Sequence, residues 1–254
     1  MTLLDEQLAR LRGRTAWITG GKRIGKTVAR ILSEQGVNLV LSYRRSVAEA
    51  TETAEAARSL GVRAVTVQAD VSSHASVAQA VESVRAGFPE IHILVNMASV
   101  YRPVRTERIS LEDWLENFGA HVLGSFWPSQ ALLPLMPPGS HIINVADATA
   151  LTRTQKQNMP YLVTKAAVAA MTRAMALEYG EKGIFVNALA PGPIVPPEDY
   201  PRDRWDRIRE RSPIKYPVDD TEAIDQFAFL VLYLSLTTMS SGHVYPLDQG
   251  QNLF

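Results

Sequence analysis

Six short runs, Thr15–Thr19, Asn38–Tyr43, Arg63–Gln68, Ile91–Asn96, His141–Ala146 and Ile184–Ala190, are apolar almost throughout rather than at alternate positions. A strand of that kind has no polar side to turn to water, so it belongs in a parallel sheet covered on both faces. Between the runs lie longer segments with helical spacing of apolar residues: Arg23–Gln35, Val47–Leu60, Ser73–Ala86, Leu111–Leu133 and Tyr161–Gly180. The alternation predicts an α/β fold, a Rossmann-type doubly wound parallel sheet of about seven strands with helices on both faces. Gly36, Gly61, Gly87 and Gly183 follow helical segments, where a C′ glycine ends a helix without steric cost. After Ala190 the pattern loosens: Pro191, Pro193, Pro196, Pro197, Pro201, Pro213 and Pro217 break up a charged stretch that includes Arg202–Arg211. A loop with a short helix is expected there, a substrate lid around residues 193–215. A helix Thr221–Leu234 and a strand His243–Leu247 close the chain, and residues 1–254 read as one domain without repeat or linker.

The 26 basic and 26 acidic side chains cancel, so no broad field draws the chain to nucleic acid or to an anionic membrane. Any anion must be bound locally. The absence of cysteine excludes disulfides, thiolate metal sites and cysteine nucleophiles, and fits an intracellular protein. Asp5, Glu6, Arg10 and Arg12 interrupt the leucines of the N-terminus, which is not the order of a signal peptide, and no run of about eighteen apolar residues occurs. A cytoplasmic protein is expected. His74, His92, His141 and His243 show no ligand spacing, so no metal site is expected.

Directly after the first strand stands Thr19-Gly20-Gly21-Lys22-Arg23-Ile24-Gly25, leading into a helix. Glycines there permit a tight turn and close approach of a pyrophosphate, and the helix N-terminus offers unpaired N–H donors. The second strand ends in Tyr43-Arg44-Arg45-Ser46, where a domain that prefers NAD would place an acid against the ribose hydroxyls. A guanidinium fork suits a 2′-phosphate instead, which points to NADP(H), with Lys22 and Arg23 adding charge beside the same phosphates. The bland alternative is a solvated helix start, although cations there oppose the helix dipole unless an anion is near.

Tyr161 and Lys165 are four apart, hence on one face of a helix. An ammonium beside a phenol lowers the phenol's pKa and makes it a usable proton donor or acceptor. The pair is common by chance, so its context decides.

That context resembles the short-chain dehydrogenase/reductase family over nearly the whole chain. The resemblance rests on the glycine turn, Asp70-Val71 after the third strand, Asn96-Met97-Ala98-Ser99 after the fourth, Tyr161 with Lys165, Asn187, and Pro191-Gly192. It implies that Asp70 and Val71 lie by adenine, that Asn96 steadies the central strand and the nicotinamide ribose together with Ala98 and Ser99, and that Lys165 holds that ribose while assisting Tyr161. It also implies a homotetramer built on Leu111–Leu133 and Tyr161–Gly180. Three departures stand out. The glycine turn is one residue short. The helix before the fifth strand has His121 where the family carries an active-site asparagine; the imidazole either bridges the same water or merely packs. Asp147 replaces the catalytic serine at the end of the fifth strand.

Aspartate at that place is similar to the pteridine reductase group, as are Tyr43-Arg44-Arg45-Ser46 with Glu49-Ala50, Thr66-Val67-Gln68-Ala69-Asp70, and Asn96 with Ala98, Ser99 and Tyr101. This resemblance implies that Tyr101 stacks on the substrate ring, that Arg23 reaches both cofactor phosphate and substrate, and that Asp147 relays protons through Tyr161 to ring nitrogens, with Ser99 beside the substrate. The plainer readings are that Asp147 only caps the strand end or pairs with Lys165 or Arg153, and that Tyr101 only packs its loop. Pro196 stands where relatives have a threonine on the nicotinamide carboxamide, which leaves that task to the backbone near Ile194. The function so implied is NADPH-dependent reduction of a pterin-like or related small molecule. A carbonyl or 3-oxoacyl reductase and a catalytically weak NADPH-binding sensor are the alternatives.

Overall fold

The structure is a computed structural model that describes residues 2–20, 22–151, 156–196 and 200–253. Pro197 of the expected lid and Arg153, the alternative partner of Asp147, lie outside the described residues. The strands are β1 (Thr15–Thr19), β2 (Asn38–Tyr43), β3 (Ala64–Gln68), β4 (Ile93–Asn96), β5 (His141–Val145), β6 (Phe185–Pro191) and β7 (Val244–Leu247). The helices are α1 (Leu3–Ala9), α2 (Ile24–Glu34), α3 (Val47–Ser59), α4 (His74–Arg85), α5 (Leu111–Phe118), α6 (Gly124–Leu132), α7 (Met159–Gly180), α8 (Arg202–Arg209) and α9 (Asp220–Leu234).

All seven strands are parallel, in the order β3-β2-β1-β4-β5-β6-β7. Successive side chains of a strand point to opposite faces, and each face has its own core. Ala16, Ile18, Leu39 and Leu41 pack with Val28 and Leu32 of α2 and Phe227 and Val231 of α9. Trp17, Val40, Leu94 and Ile142 pack with Val77 and Val81 of α4, Leu132 of α6 and Met175 of α7. Two covered faces are the reason the runs are apolar throughout. The strand order reverses between β1, which pairs on one side with β2 and on the other with β4, and the loops leaving both strands open a crevice there.

Several details depart from the sequence reading. The segment Leu111–Leu133 is not one α-helix: α5 and α6 are joined by a π-helical turn, Gly119–Leu123. An added Cβ on Gly119 would stand 3.1 Å from the Cβ of Ser72, and one on Gly124 would stand 2.9 Å from Val71 Cγ2, so the widened turn seats both glycines against the loop after β3. Gly36, Gly61 and Gly183 adopt positive φ, but Gly87 does not. Instead α4 unwinds through Gly87 N–H and Phe88 N–H, both bonded to the Val84 carbonyl. Helix α1, capped by Thr2 and Asp5, was not expected, and α7 starts before Tyr161, with Pro160 in its first turn. The proline-rich stretch carries the short helix α8. Among the described residues no helix is long and apolar enough to cross a membrane.

Candidate active site

The loops at the C-terminal ends of the strands enclose a cleft of about 760 Å³. It is lined by Gly20, Lys22, Arg23, Ile24, Tyr43, Arg44, Arg45, Ser46, Asp70, Val71, Ala98, Ser99, Tyr101, Asp147, Tyr161, Lys165, Pro191 and Gly192. The remaining residues expected at the cofactor do not line it. Gly25 packs under the turn, where an added Cβ would meet the Gly20 carbonyl at 3.0 Å. Asn96 is buried, its Nδ2 shared between the Ser125 carbonyl, Ser129 Oγ and Asn144 Oδ1, so it ties β4 to β5 and α6. Ile194 is buried, and its N–H is turned to the Gly192 carbonyl at 2.9 Å. Asn187 braces β6 against Ser240 and the His243 N–H.

The dinucleotide end is built by what is missing. Gly20 has φ +75°, and a Cβ there would stand 2.8 Å from both the Cα and the N of Ala98. Thr19 Oγ1 accepts from the Met97 and Ala98 N–H groups, which locks the turn onto the end of β4. Helices α4, α5 and α9 are capped by the side chains of Ser73, Ser110 and Asp219, whereas α2 and α3, which start at the cleft, have no side-chain cap. Uncapped N-termini beside a glycine turn suit a phosphate. Arg44 and Arg45 are exposed at the same rim. Burial works against the Asp70 charge, but hydrogen bonds from Ser72 and the charges of Arg44 and Arg45 hold the carboxyl below the ordinary range. These residues fit a dinucleotide bearing an extra phosphate. Arg23 has φ +57°, and its Nη1 donates to the Pro196 carbonyl across the mouth at 2.6 Å.

At the other end Asp147 does two things at once. Its Oδ1 accepts from the Thr149 N–H at 2.8 Å and from the Thr149 hydroxyl, capping the turn Ala148–Ala150, while Oδ2 accepts from the Tyr161 hydroxyl at 2.7 Å. The Tyr101 ring meets Tyr161 edge-on at 5.0 Å, and its hydroxyl accepts from Asn158 Nδ2 at 3.2 Å, so it packs its loop and lines the cleft together. Lys165 Nζ donates to the Val145 carbonyl at 2.7 Å and lies 5.9 Å from the Tyr161 ring centre. The expected electrostatics are corrected here. Lys165 does not lower the Tyr161 pKa: burial, then the Asp147 carboxylate, push the phenol well above its ordinary value. Burial also brings the lysine down to about 8, against the pull of Asp147. A buried phenol held protonated is a proton donor at neutral pH.

His121 is buried, with Nδ1 2.8 Å from Thr164 Oγ1 and Nε2 beside Ser99 and Val100. Sequence reasoning missed Arg209, which ties together the backbone of the segment after β6. Arg209 donates to the carbonyls of Pro193 (3.2 Å), Ile194 (2.5 Å) and Val218 (2.9 Å) and pairs with Asp220 at 3.0 Å. Three of its partners are backbone carbonyls, which leave no side-chain pattern to read. Thr164, one turn after Tyr161, could have been noticed from its i+3 spacing.

Among known proteins, the family model described as Enoyl-(Acyl carrier protein) reductase matches residues 20–252. An uncharacterized oxidoreductase of Bacillus subtilis is 34% identical over 74% of this chain and 66% of its own length. Glucose 1-dehydrogenase 2 of Bacillus subtilis is 32% identical over 72% of this chain and 73% of that protein. A 3-oxoacyl-[acyl-carrier-protein] reductase of Staphylococcus epidermidis is 30% identical over 85% and 91%. Of solved structures, a short chain dehydrogenase from Burkholderia cenocepacia in complex with NADP superposes with a TM-score of 0.88 at 28% identity, over 96% of this chain and 99% of the other.

Proposed function

This chain belongs to the short-chain dehydrogenase/reductase family of NAD(P)-dependent oxidoreductases, and we propose that it is an NADPH-dependent reductase of a pterin-like or related heterocycle. The observation that carries the reading is the 2.7 Å hydrogen bond from the Tyr161 hydroxyl to Asp147 Oδ2. A carbonyl needs one proton on oxygen, for which a hydroxyl beside tyrosine serves; a ring nitrogen needs a proton delivered along an acid path.

In this reading Gly20, Lys22, Arg23, Ile24 and Gly25 hold the pyrophosphate, and Tyr43, Arg44, Arg45 and Ser46 hold the 2′-phosphate. Asp70 and Val71 border the adenine, while Asn96, Ala98, Ser99, Tyr161, Lys165, Pro191, Gly192 and Ile194 frame the nicotinamide half. When bound, NADPH supplies the hydride. Tyr161 gives its proton to the ring nitrogen while a proton reaching Asp147 passes along the shared hydrogen bond to the phenol oxygen. Lys165 keeps positive charge beneath the phenol. Tyr101, edge-on to Tyr161, and Arg23, at the mouth, border the ring together with Ser99.

We assign NADPH over NADH on Arg44 and Arg45, one cytoplasmic domain spanning residues 1–254 with its lid at 193–215, and a homotetramer. Leu111, Leu115 and Phe118 of α5 and Met159 and Val163 of α7 remain exposed, an apolar area that a second copy would cover. The test is NADPH oxidation with biopterin and dihydrofolate set beside a ketone and a 3-oxoacyl thioester. Turnover of the pterins is expected. No turnover of either pterin overturns the assignment, and turnover of the thioester alone establishes the carbonyl reading, which the similarity to the Staphylococcus epidermidis reductase favours.

A further inference from the structure

We propose that His121 is a positioning residue, a neutral imidazole that pins the segment after β4 to the catalytic helix α7 rather than passing protons. The hydrogen bonds around it select one tautomer. The Thr164 hydroxyl lies 2.8 Å from the Pro160 carbonyl and 3.0 Å from the Tyr161 carbonyl, and its one proton goes to one of them. Toward His121 it then only accepts, so Nδ1 carries the hydrogen across the 2.8 Å contact. Nε2 is left with its lone pair, which accepts from the Val100 N–H at 3.2 Å and from the Ser99 hydroxyl at 3.0 Å.

The opposite tautomer would let Nε2 donate to the Val100 carbonyl, 3.1 Å away. It would also set the Val100 N–H against an N–H, and leave Thr164 Oγ1 facing two carbonyls without a proton between them. Of these six contacts the Nδ1–H form satisfies four and leaves without a proton one Thr164–carbonyl contact and that of Nε2 with the Val100 carbonyl.

Lys165 and Tyr161 are the ionisable groups that act on the ring. Tyr161 meets it edge-on at 5.3 Å. Burial, then the Lys165 charge, bring the imidazole down to about 3. With both nitrogens engaged and no charge change near neutrality, His121 has neither a site for a relay water nor a proton to give. It sits in the π-helical turn, whose extra width places it between Thr164 on α7 and the Ser99–Val100 backbone. The ring thereby ties Ser99 and Val100 to α7, beside the Tyr101–Tyr161 and Asn158–Tyr101 contacts one residue further on. Asp147 is left as the proton partner of Tyr161.

Imidazole ¹⁵N spectra of the histidine-labelled protein, with Thr164→Val for comparison, test this without any substrate. The expected result is one imidazole in the Nδ1–H form whose signals stay fixed from about pH 5 to about pH 9, a window that spans the ordinary histidine pKa. An Nε2–H form, or a titration inside that window, overturns the proposal. Thr164→Val removes the acceptor and keeps the shape, so it should speed amide exchange at Val100 by about tenfold or more, as expected for loss of one buried hydrogen bond, while β1 to β3 keep their protection. Unchanged Val100 exchange also overturns it. With a substrate that the chain turns over, Thr164→Val should raise KM and leave the pH dependence of kcat in place; a moved pH profile would mean a relay. The spectroscopic and exchange readouts do not depend on the pterin assignment, so either can fail alone.

Discussion

Replacing Asp147 by asparagine exchanges one oxygen for an NH2 group and removes one charge with little change of shape. The Thr149 N–H and hydroxyl hold Oδ1, so the amide keeps its oxygen there and turns its nitrogen to Tyr161. Where Oδ2 accepted the phenol proton at 2.7 Å, the amide only donates. The phenol loses its acceptor and the phenolate gains a donor. A carboxylate and a phenolate with charge centres about 4 Å apart repel by about 4 kcal/mol at an effective dielectric near 20. Tyr161 is raised first by burial and then by Asp147, so the variant keeps the first cause and loses the second. Ultraviolet difference titration reads tyrosinate formation, and Tyr161→Phe in both backgrounds isolates one phenol among the 8 tyrosines. The Tyr161 pKa should drop, and kcat for pterin reduction should fall by about 100-fold or more, with NADPH affinity unchanged. Ionisation of Tyr161 identical in variant and parent, or an undiminished rate, would refute the coupling.

Other outcomes are expected. Arg45→Ala should weaken NADPH by about tenfold to a hundredfold, the worth of a charge-assisted hydrogen bond, and leave NADH nearly untouched; equal losses in fluorescence titrations contradict the 2′-phosphate assignment. Gly20→Ala forces a side chain against Ala98 at a positive φ, and should abolish detectable NADPH binding and lower Tm. Lys165, brought by burial to about 8, is fully charged only below that pH, so the rate should fall as pH rises through about 8. The folded state then binds fewer protons than the unfolded chain from about 8 up to the ordinary 10.5, so denaturation at several pH values should show stability from this group rising across that window. Arg209→Ala removes three carbonyl contacts and the Asp220 pair at a side chain that is 16% exposed; about 2 kcal/mol of stability should be lost in urea titrations, allowing for partial solvation, with faster proteolysis near residues 193–215.

The sheet was legible because Ile18 and Trp17 face different cores, so burial on both sides writes itself into every position of β1. The one-face placement of Tyr161 and Lys165 follows from helical geometry alone. The sign of the Tyr161 shift was not legible, since spacing reports the neighbouring ammonium but not that Lys165 turns to the Val145 carbonyl, nor how much water the fold removes. The break at Gly119–Leu123 was hidden for a similar reason: one residue of extra winding barely disturbs the apolar period. For Asp147 the sequence could not tell a cap from a partner of Tyr161, because its two oxygens serve different neighbours: Oδ1 accepts from the Thr149 N–H and Oδ2 from the Tyr161 hydroxyl.

The reversal of strand order between β1 and β4 also sets a timetable. Gly20, Arg44, Arg45 and Asp70 all precede β4, so the ribosome releases that end of the cleft before it makes Asp147, Tyr161 or Lys165. During that interval one edge of β1 waits for β4, and the face that α9 covers waits for Phe227 and Val231, close to the end of synthesis. Pairings between parts so distant in the chain form slowly and leave apolar surface open to aggregation meanwhile. The nascent chain therefore owns the glycine turn and the arginine rim well before it owns the hydrogen bond between Tyr161 and Asp147.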